Sequence, residues 1–473
     1  MAFSSVAFLF GFLPAVLLCY FLIPARYRAG RNGVLLLFSL AFYAWGGLRL
    51  LPLLLGSCLV NRAAGLLLAP GRRGRRTAFP AALVLNLLPL LYLKYTGFLA
   101  ENLSALGLEL SAPAVVLPAG ISFFTFQAIS YLADVYRGAV PPERSLSRLA
   151  LYMAFFPQLL QGPIVRYGDF GPLLAERREA VSDVSAGAVR FCFGLAKKVL
   201  LADALGNVAA AAFGAGGRLT VGLAWLGSAA YTLQLYFDFS GYTDMALGLG
   251  RVFGLPLPEN FDYPYISQSA AEFWRRWHTT LSHWFRDYVY IPLGGNRCPP
   301  GRHLVNLLAV WLLTGLWHGA AWTFVAWGLY YAALLIGEKY LWGGALERLP
   351  RAPRHVYALL LINFGWVLFR AGSLGQAGAM LSAMFGFAPG GLWSGEAEYY
   401  LRQYAWEWAA AIPAALPVKL WLSRRLESRR EAGSRAAAAA LAFGPKLLAL
   451  GLLGLSAVRL LSSTFRSFLY FRF

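Results

Sequence analysis

A run of 34 residues, 304–337, contains no Asp, Glu, Lys or Arg. A helix of about 20 apolar residues crosses a bilayer core. Because lipid offers no hydrogen-bond partners, such runs are predicted to be helices, which satisfy their own backbone groups. Further apolar runs lie at 6–23, 80–93, 114–133, 356–369 and 436–458. The chain is therefore predicted to be an all-α, polytopic membrane protein.

Basic residues lie in short clusters between the apolar runs, and the formal net charge is +20. The clusters are Arg26/Arg28/Arg31, Arg72/Arg73/Arg75/Arg76, Arg351/Arg354 and Arg424/Arg425/Arg429/Arg430. This distribution is typical of cytoplasmic loops beside anionic headgroups. The positive charge is therefore explained by cytoplasmic loops that contact membrane lipid. Nucleic-acid binding is not expected.

His318 lies near the middle of the charge-free run. A straight 34-residue helix would be about 51 Å long, against roughly 30 Å of hydrocarbon. A bend or break is therefore predicted, with Gly315 and Gly319 as the candidate positions. An ionisable group at membrane depth usually faces a cavity or a partner. Two interpretations stay open: a general base in a passage open to one compartment, or a hydrogen-bonded core histidine.

The segment 270–297 combines aromatic residues with charges of both signs. Spacings of three and four predict one face of a single helix, formed by Trp274, Trp277, Leu281, Trp284, Phe285 and Tyr288. This helix would either anchor at the membrane interface, the favoured interpretation for the single Trp residues, or fold into a polar funnel inside the protein. His278 and His283 are five residues apart and do not share a face, and the four cysteines are scattered. No metal site is therefore expected.

Other polar residues occur in apolar surroundings. Asp238 and Asp244 are six residues apart, which does not support a carboxylate dyad on one helical face. Gln127 and Gln158 lie in equally apolar runs. These side chains either line a polar tunnel or form hydrogen bonds between packed helices, and the second is the commoner role for such residues.

Several strings, in this order along the chain, resemble the membrane-bound O-acyltransferase family. They are Ser122-Phe-Phe-Thr-Phe-Gln127, Phe156-Pro-Gln158, Phe237-Asp-Phe-Ser-Gly-Tyr-Thr-Asp244, Pro258-Glu-Asn-Phe261, Trp274-Arg-Arg-Trp-His278, Arg286-Asp-Tyr-Val-Tyr290-Ile-Pro-Leu-Gly-Gly-Asn-Arg297 and Gly315-Leu-Trp-His318-Gly. The resemblance covers about residues 80–370 of a chain expected to be one membrane domain, 1–473. The Ile291–Arg297 string resembles sequences of the branch that O-acetylates alginate and peptidoglycan. The lipoteichoic-acid D-alanylation branch is related.

The resemblance implies a ring of transmembrane helices around a thin core with a central tunnel, plus re-entrant and interfacial helices. It implies that His318 is the catalytic base and that His278 is an orienting or donor-site residue. Candidate tunnel or donor-binding residues are Arg275, Arg276, Arg286, Asp287, Asp238, Asp244, Gln127, Gln158, Trp317 and Asn296. No bound cofactor is expected.

The resemblance also implies a pathway. A cytoplasmic thioester, acetyl-CoA or another acyl thioester, would supply the acyl group, which crosses the bacterial inner membrane to a secreted or cell-wall polysaccharide. Expected partners are a periplasmic hydrolase-like (SGNH-type) acetyltransferase and the polysaccharide export machinery. The alternative is a transporter or an export-complex scaffold without acyl chemistry; transporters often contain internal repeats, and none is apparent in the sequence.

The tail Phe468-Leu-Tyr-Phe-Arg-Phe473 is rich in aromatic residues. Such tails often anchor at the membrane interface. This one also resembles the terminus of a small peptide of the D-alanylation system, which suggests that Tyr470 carries the acyl group as an ester.

Overall fold

A computed structural model describes residues 1–108 and 117–462. The regular secondary structure of the described residues is helical, with one isolated bridge between Phe261 and Trp277 and no strand among them. The all-α prediction is confirmed. Two compact units are present, and α9 (Val181–Ala196) and α11 (Val221–Val252) contribute residues to both.

The first unit contains the described residues of Met1–Phe191 together with Met245–Pro258. Its helices are α1 (Leu13–Leu22), α2 (Arg28–Ala44), α3 (Leu51–Leu67), α4 (Arg75–Ala105), α5 (Ile121–Arg137), α6 (Leu146–Ala154), α7 (Phe156–Leu159) and α8 (Tyr167–Ala175), and a π-helical turn, Phe8–Phe12, precedes α1.

The second unit contains Cys192–Asp244 and the described residues from Glu259 onward. Its helices are α10 (Asp203–Gly214), α12 (Ala270–Arg276), α13 (Thr279–Phe285), α14 (Pro300–His318), α15 (Trp322–Tyr340), α16 (Gly343–Arg348), α17 (Arg351–Arg370), α18 (Leu374–Met384), α19 (Gly395–Gln403), α20 (Ala405–Ala415), α21 (Val418–Glu431) and α22 (Arg435–Ser462). π-Helical turns lie at Lys197–Ala202 and Arg286–Tyr290.

Four helices in the described chain are long and apolar enough to cross a membrane. They are Leu48–Leu67, Arg75–Ala105, Arg351–Arg370 and Arg435–Ser462, and Phe8–Leu22 is a shorter apolar helix. The predicted run 6–23 therefore appears as Phe8–Leu22. Part of the predicted run 114–133 lies outside the described residues, and α5 begins at Ile121. These apolar helices support a membrane protein, whereas the ring of helices and its tunnel stay predictions.

The charge-free run 304–337 is divided into two helices, as its length predicts. Helix α14 ends at His318, Gly319 is extended with φ −167°, and α15 begins at Trp322. Gly315 lies inside α14, where a Cβ atom would stand 2.3 Å from the carbonyl oxygen of Phe324. The predicted break is thus at Gly319, while Gly315 lets α14 and α15 approach closely.

Candidate active site

The single helix predicted across Trp274–Tyr288 is wrong. The segment forms α12, α13 and the π-helical turn Arg286–Tyr290, and the break falls at His278, with φ 45° and ψ 50°. A short antiparallel pairing explains the break. The Asp262 N–H donates to the Arg276 carbonyl at 2.9 Å, and the Thr279 N–H donates to the Asn260 carbonyl at 3.1 Å. Pairing with a distant segment therefore overrides the local helical pattern.

Side chains fix the start of α12. Ser269 caps the helix by accepting a hydrogen bond from the Glu272 N–H at 3.0 Å. The Glu338 carboxylate of α15 accepts from the N–H groups of Ala270 and Ala271 at 2.7 and 2.9 Å. These bonds satisfy backbone donors that a helix N-terminus otherwise leaves open. The Glu338 bonds also connect α15 to the start of α12, the helix that directly precedes His278.

The aromatic face of this segment is buried inside the second unit. Trp274, Trp277 and Trp284 are 8%, 1% and 6% exposed. The Trp274 ring lies 4.8 Å from Trp311 and 5.5 Å from Trp327, both approximately edge to face. The interpretation of the single Trp residues as interfacial anchors is therefore wrong, because their rings pack against protein.

His278 has a defined tautomer. Its Nδ1 atom lies 3.1 Å from Asn260 Oδ1, which also accepts from the Thr280 N–H at 3.2 Å and from the Thr280 hydroxyl at 2.9 Å. A backbone N–H can only donate, so the atom facing it must be the amide oxygen of Asn260. His278 Nδ1 then carries the proton, and Nε2 has an open lone pair.

The surroundings of His278 keep the ring neutral and its acceptor atom available. The residue is 1% exposed, and burial lowers the pKa of the imidazole to about 3. Nε2 has no hydrogen-bond partner among the described residues. The left-handed backbone of His278 is strained for a residue with a side chain, and strain of this kind tends to be kept at functional sites. His278 can therefore accept a hydrogen bond from a ligand.

His318 is the last residue of α14 and is 5% exposed. Its ring meets those of Trp327 and Phe369 approximately edge to face, each at 5.1 Å, and lies 4.8 Å from the Trp317 ring. Trp317 is also 6.1 Å from the His278 ring, so it contacts both histidines. The structure thus brings three predicted residues together, whereas the passage expected at His318 stays a prediction.

A cavity of about 560 Å³ lies in the second unit, and its lining includes Arg275, His303, Lys339, Arg354 and Glu347. His303 bonds to Tyr290 and Tyr340, each at 2.7 Å, and to Lys339 at 3.2 Å. Among the candidate donor-binding residues, Arg275 lines this cavity. Neither His278 nor His318 is part of its wall.

The other charged candidates near this segment are paired locally. Arg276 bonds to Asp262 at 2.8 Å and to Glu272 at 3.0 Å. Arg286 bonds to its neighbour Asp287 at 2.7 Å. Asn296 is exposed in the turn after the π-helical segment. Their role in binding a donor stays a prediction.

Asp238 and Asp244 each bind a lysine that the sequence interpretation missed. Lys198 Nζ lies 2.6 Å from Asp238 and 2.8 Å from Asp203, and Lys197 lies 2.6 Å from Asp244. Lys198 and Asp238 have side chains only 2% and 1% exposed. The adjacent lysines at the start of an apolar stretch were the available signal, since a buried lysine requires an acidic partner.

The remaining candidates lie elsewhere. Gln127 and Gln158 are buried in the first unit, where Gln158 Nε2 donates to the Tyr152 carbonyl at 2.6 Å. Tyr470 lies outside the described residues. Asn260 was missed as a site residue, although it belongs to the Pro258–Phe261 string. Its role depends on contact with His278, 18 residues away, which spacing alone does not reveal.

Comparison with known proteins identifies the family of the chain. The model of the membrane-bound O-acyltransferase family matches residues 143–374. The chain is 45% identical over 397 residues to a probable alginate O-acetylase AlgI of Azotobacter vinelandii, covering 82% of this chain and 78% of that protein. It is 36% identical over 424 residues to a peptidoglycan O-acetyltransferase of Helicobacter pylori, covering 81% and 80%.

A more distant relative is the teichoic acid D-alanyltransferase of Bacillus subtilis, 30% identical over 267 residues, which cover 53% of this chain and 66% of that protein. The similarity to the first two relatives spans most of both chains. These two relatives, the family model and the apolar helices establish that this chain belongs to the membrane-bound O-acyltransferase family and is a membrane-embedded O-acyltransferase.

Proposed function

We propose that this enzyme transfers acetyl from a cytoplasmic thioester, acetyl-CoA, across the bacterial inner membrane for O-acetylation of a secreted or cell-wall polysaccharide. The similarity to proteins named for alginate and peptidoglycan O-acetylation supports a polysaccharide acceptor and an acetyl group. Apolar helices of spanning length support a multi-pass arrangement. The observation that carries the proposal is the buried pair of imidazoles, with the tautomer of His278 held by Asn260.

The two histidines have different proposed roles. General-base catalysis works best when the pKa of the base lies near the working pH. Burial lowers the pKa of His278 to about 3, which makes it a weak base and a permanent hydrogen-bond acceptor near neutral pH. His278 Nε2 therefore orients a donor or acceptor group of the substrate. His318 is proposed as the base on the ground of the family resemblance.

The proposed chemistry is acyl transfer between a thioester and a hydroxyl. His318 removes the proton from the incoming hydroxyl group, and the oxygen of that hydroxyl attacks the acetyl carbonyl carbon. The tetrahedral intermediate then expels the thiolate by breaking the carbon–sulfur bond. The thiolate takes the proton from the imidazolium, so that the products are an ester and a free thiol.

A buried donor near His318 suits the oxyanion of that intermediate. The Trp327 ring lies 5.1 Å from the His318 ring, and its indole N–H has no hydrogen-bond partner among the described residues. A buried donor without a partner is costly unless it serves a further purpose. Donors already in place where negative charge develops lower the barrier to acyl transfer. We therefore include Trp327 in the proposed site.

The cavity lined by Arg275 suits the anionic end of a donor. Glu338 is occupied by backbone N–H groups and Glu272 by Arg276. Arg275 and Arg354 have no carboxylate partner among the described residues, and Lys339 bonds to His303. Three cations therefore line the wall beside Glu347, the one carboxylate there that is not otherwise engaged among the described residues. Phosphate groups bind well to arginine. This supports a phosphate-bearing thioester such as acetyl-CoA.

Later steps of the pathway are proposed from the family resemblance. A periplasmic hydrolase-like (SGNH-type) partner would complete transfer to the polysaccharide, and the export machinery would deliver that polysaccharide. Tyr470 is the proposed acyl carrier between the two proteins.

The test is complementation of a host that lacks this gene with wild-type protein, His318→Ala or His278→Gln at equal expression. We expect His318→Ala to abolish alkali-labile O-acetyl groups on the host polysaccharide while the amount exported is unchanged. His278→Gln should retain part of the acetylation, since the amide oxygen can replace an acceptor nitrogen.

Normal acetylation with failed export in His318→Ala would contradict the proposal and favour a transporter or scaffold. The matched control is His355→Ala, because His355 bonds to the Ser267 carbonyl and belongs to neither the histidine pair nor the cavity wall.

A further inference from the structure

The first unit contains a strongly basic cavity of about 410 Å³. It lies where the segment before α2 meets the segment after α8, and its walls are formed by Ala25, Arg26, Arg28, Ala175, Glu176, Arg177 and Arg178. Four arginines and one glutamate therefore line the cavity, and two of these arginines, Arg28 and Arg177, contact the neighbouring Glu179. A cavity with this charge balance attracts anions.

Two buried arginines, Arg31 and Arg177, and the half-buried Arg28 contact one acid beside the cavity. Glu179 is contacted by Arg28, by Arg31 at 3.1 Å and by Arg177 at 3.4 Å. The side chains of Arg177 and Glu179 are 1% and 4% exposed. One carboxylate offsets one of the three positive charges, and uncompensated buried charge is costly. The cluster therefore keeps positive charge that a further anion at the cavity would offset.

The rim of the cavity offers donors that are not already occupied. Arg26 and Arg178 are exposed and have no carboxylate partner among the described residues, and Arg26 lies 4.9 Å from the Tyr27 ring centroid. Helix α2 begins at Arg28, and its first turn contains no acidic residue. A helix N-terminus adds backbone N–H groups and partial positive charge to the same place.

The adjacent surface is apolar. Helix α1 ends at Leu22, three residues before the cavity wall begins, and Leu18 and Leu22 are 62% and 70% exposed. The cavity thus lies where an apolar helix ends and charged groups begin, a position that in a membrane corresponds to the headgroup layer. Basic pockets at this depth are suited to anionic lipid headgroups.

We propose that this cavity binds the phosphate group of an anionic phospholipid, whose acyl chains lie along the exposed leucines of α1. The guanidinium groups of Arg26, Arg28 and Arg178 donate to the phosphate oxygens. A soluble phosphate has the same headgroup chemistry but gains nothing from the leucines, so the two sources can be separated.

The test uses full-length protein purified in detergent. Thermal unfolding is followed while phosphatidylglycerol, phosphatidylcholine or inorganic phosphate is added. We expect phosphatidylglycerol to raise the unfolding midpoint saturably, with little effect from the other two. In Arg26→Gln/Arg178→Gln, half-saturation should need about tenfold more phosphatidylglycerol, because two charge-assisted contacts are lost.

The control, Arg424→Gln/Arg429→Gln, removes the same charge from exposed positions of α21 and should titrate like wild type. Arg178→Gln alone serves as a second variant if the double variant does not fold. Equal half-saturation in wild type and the rim variants would overturn the proposal. Equal protection by inorganic phosphate would overturn the lipid as the ligand and leave a soluble anion in its place.

Discussion

Replacing Asn260 tests whether its amide fixes the tautomer of His278. Asn260 Oδ1 accepts hydrogen bonds from His278 Nδ1, the Thr280 N–H and the Thr280 hydroxyl. In Asn260→Ala the hydroxyl can rotate to another acceptor, while two buried donors lose theirs. At about 1–3 kcal/mol for each donor, the variant should be destabilised by about 2–6 kcal/mol.

Without the Asn260 oxygen, nothing holds the imidazole proton on Nδ1, and it can move to Nε2. That change removes the acceptor that orients the substrate, a hydrogen bond worth about 0.5–1.5 kcal/mol. The rate of acetyl transfer in Asn260→Ala should therefore fall on the order of 2- to 10-fold in the protein that remains folded.

Asn260→Asp separates charge from hydrogen bonding. The carboxylate keeps the acceptor and the approximate shape, and its negative charge should raise the pKa of His278 from about 3. Once protonated, Nε2 donates and no longer accepts. Activity of the variant should therefore be lost at acidic pH, as the pH falls through the raised pKa, where the wild-type ring stays neutral.

The assay is transfer of labelled acetyl from acetyl-CoA in membrane vesicles between about pH 5 and pH 8, the range in which imidazoles commonly titrate. The control is Asn207→Asp, because Asn207 bonds to Tyr404 at 2.8 Å and belongs to neither the histidine pair nor the Asn260 contacts. If the Asn260→Asp profile superimposes on that of wild type and Asn260→Ala transfers at the normal rate, the reasoning about the tautomer is refuted.

Three further predictions concern neighbouring features of the second unit. Trp327→Phe removes a buried N–H beside His318 and should lower the rate of acetyl transfer on the order of 10²-fold, whereas the exposed Trp406→Phe should leave the rate unchanged. Lys198→Met leaves Asp238 buried without its cation and should lower the stability measured by thermal unfolding by about 3–5 kcal/mol. Stability should recover in Lys198→Met/Asp238→Leu. Wild-type stability of Lys198→Met would contradict the structural role of the ion pair. Gly315→Ala places a Cβ 2.3 Å from the Phe324 carbonyl oxygen and should destabilise the protein by about 1–3 kcal/mol, whereas Gly301→Ala, on the same helix with open space around it, should not.

The apolar helices were predictable because membrane thickness limits what a charge-free run can do. The break after His318 follows from the same limit, since one straight helix through residues 304–337 would be too long. The observed break at Gly319 agrees with it. The local sequence and the thickness of the membrane core were sufficient to predict this part of the fold.

The break at His278 was not predictable from periodicity. Spacings of three and four continue through Trp277 and Leu281 as if one helix were present. The chain instead pairs with Asn260 and Asp262, and this pairing holds His278 in a left-handed conformation. The Lys198–Asp238 ion pair likewise joins residues 40 positions apart. Contacts at such separations depend on the folded arrangement and leave no periodic signal.

The most direct test of acyl transfer through His318 uses inverted membrane vesicles supplied externally with labelled acetyl-CoA. We predict that wild-type protein delivers label to an alkali-labile ester inside the vesicles, that His278→Gln delivers a reduced amount, and that His318→Ala delivers none at equal protein level. Delivery of label by His318→Ala at the wild-type rate would contradict the catalytic role proposed for this histidine.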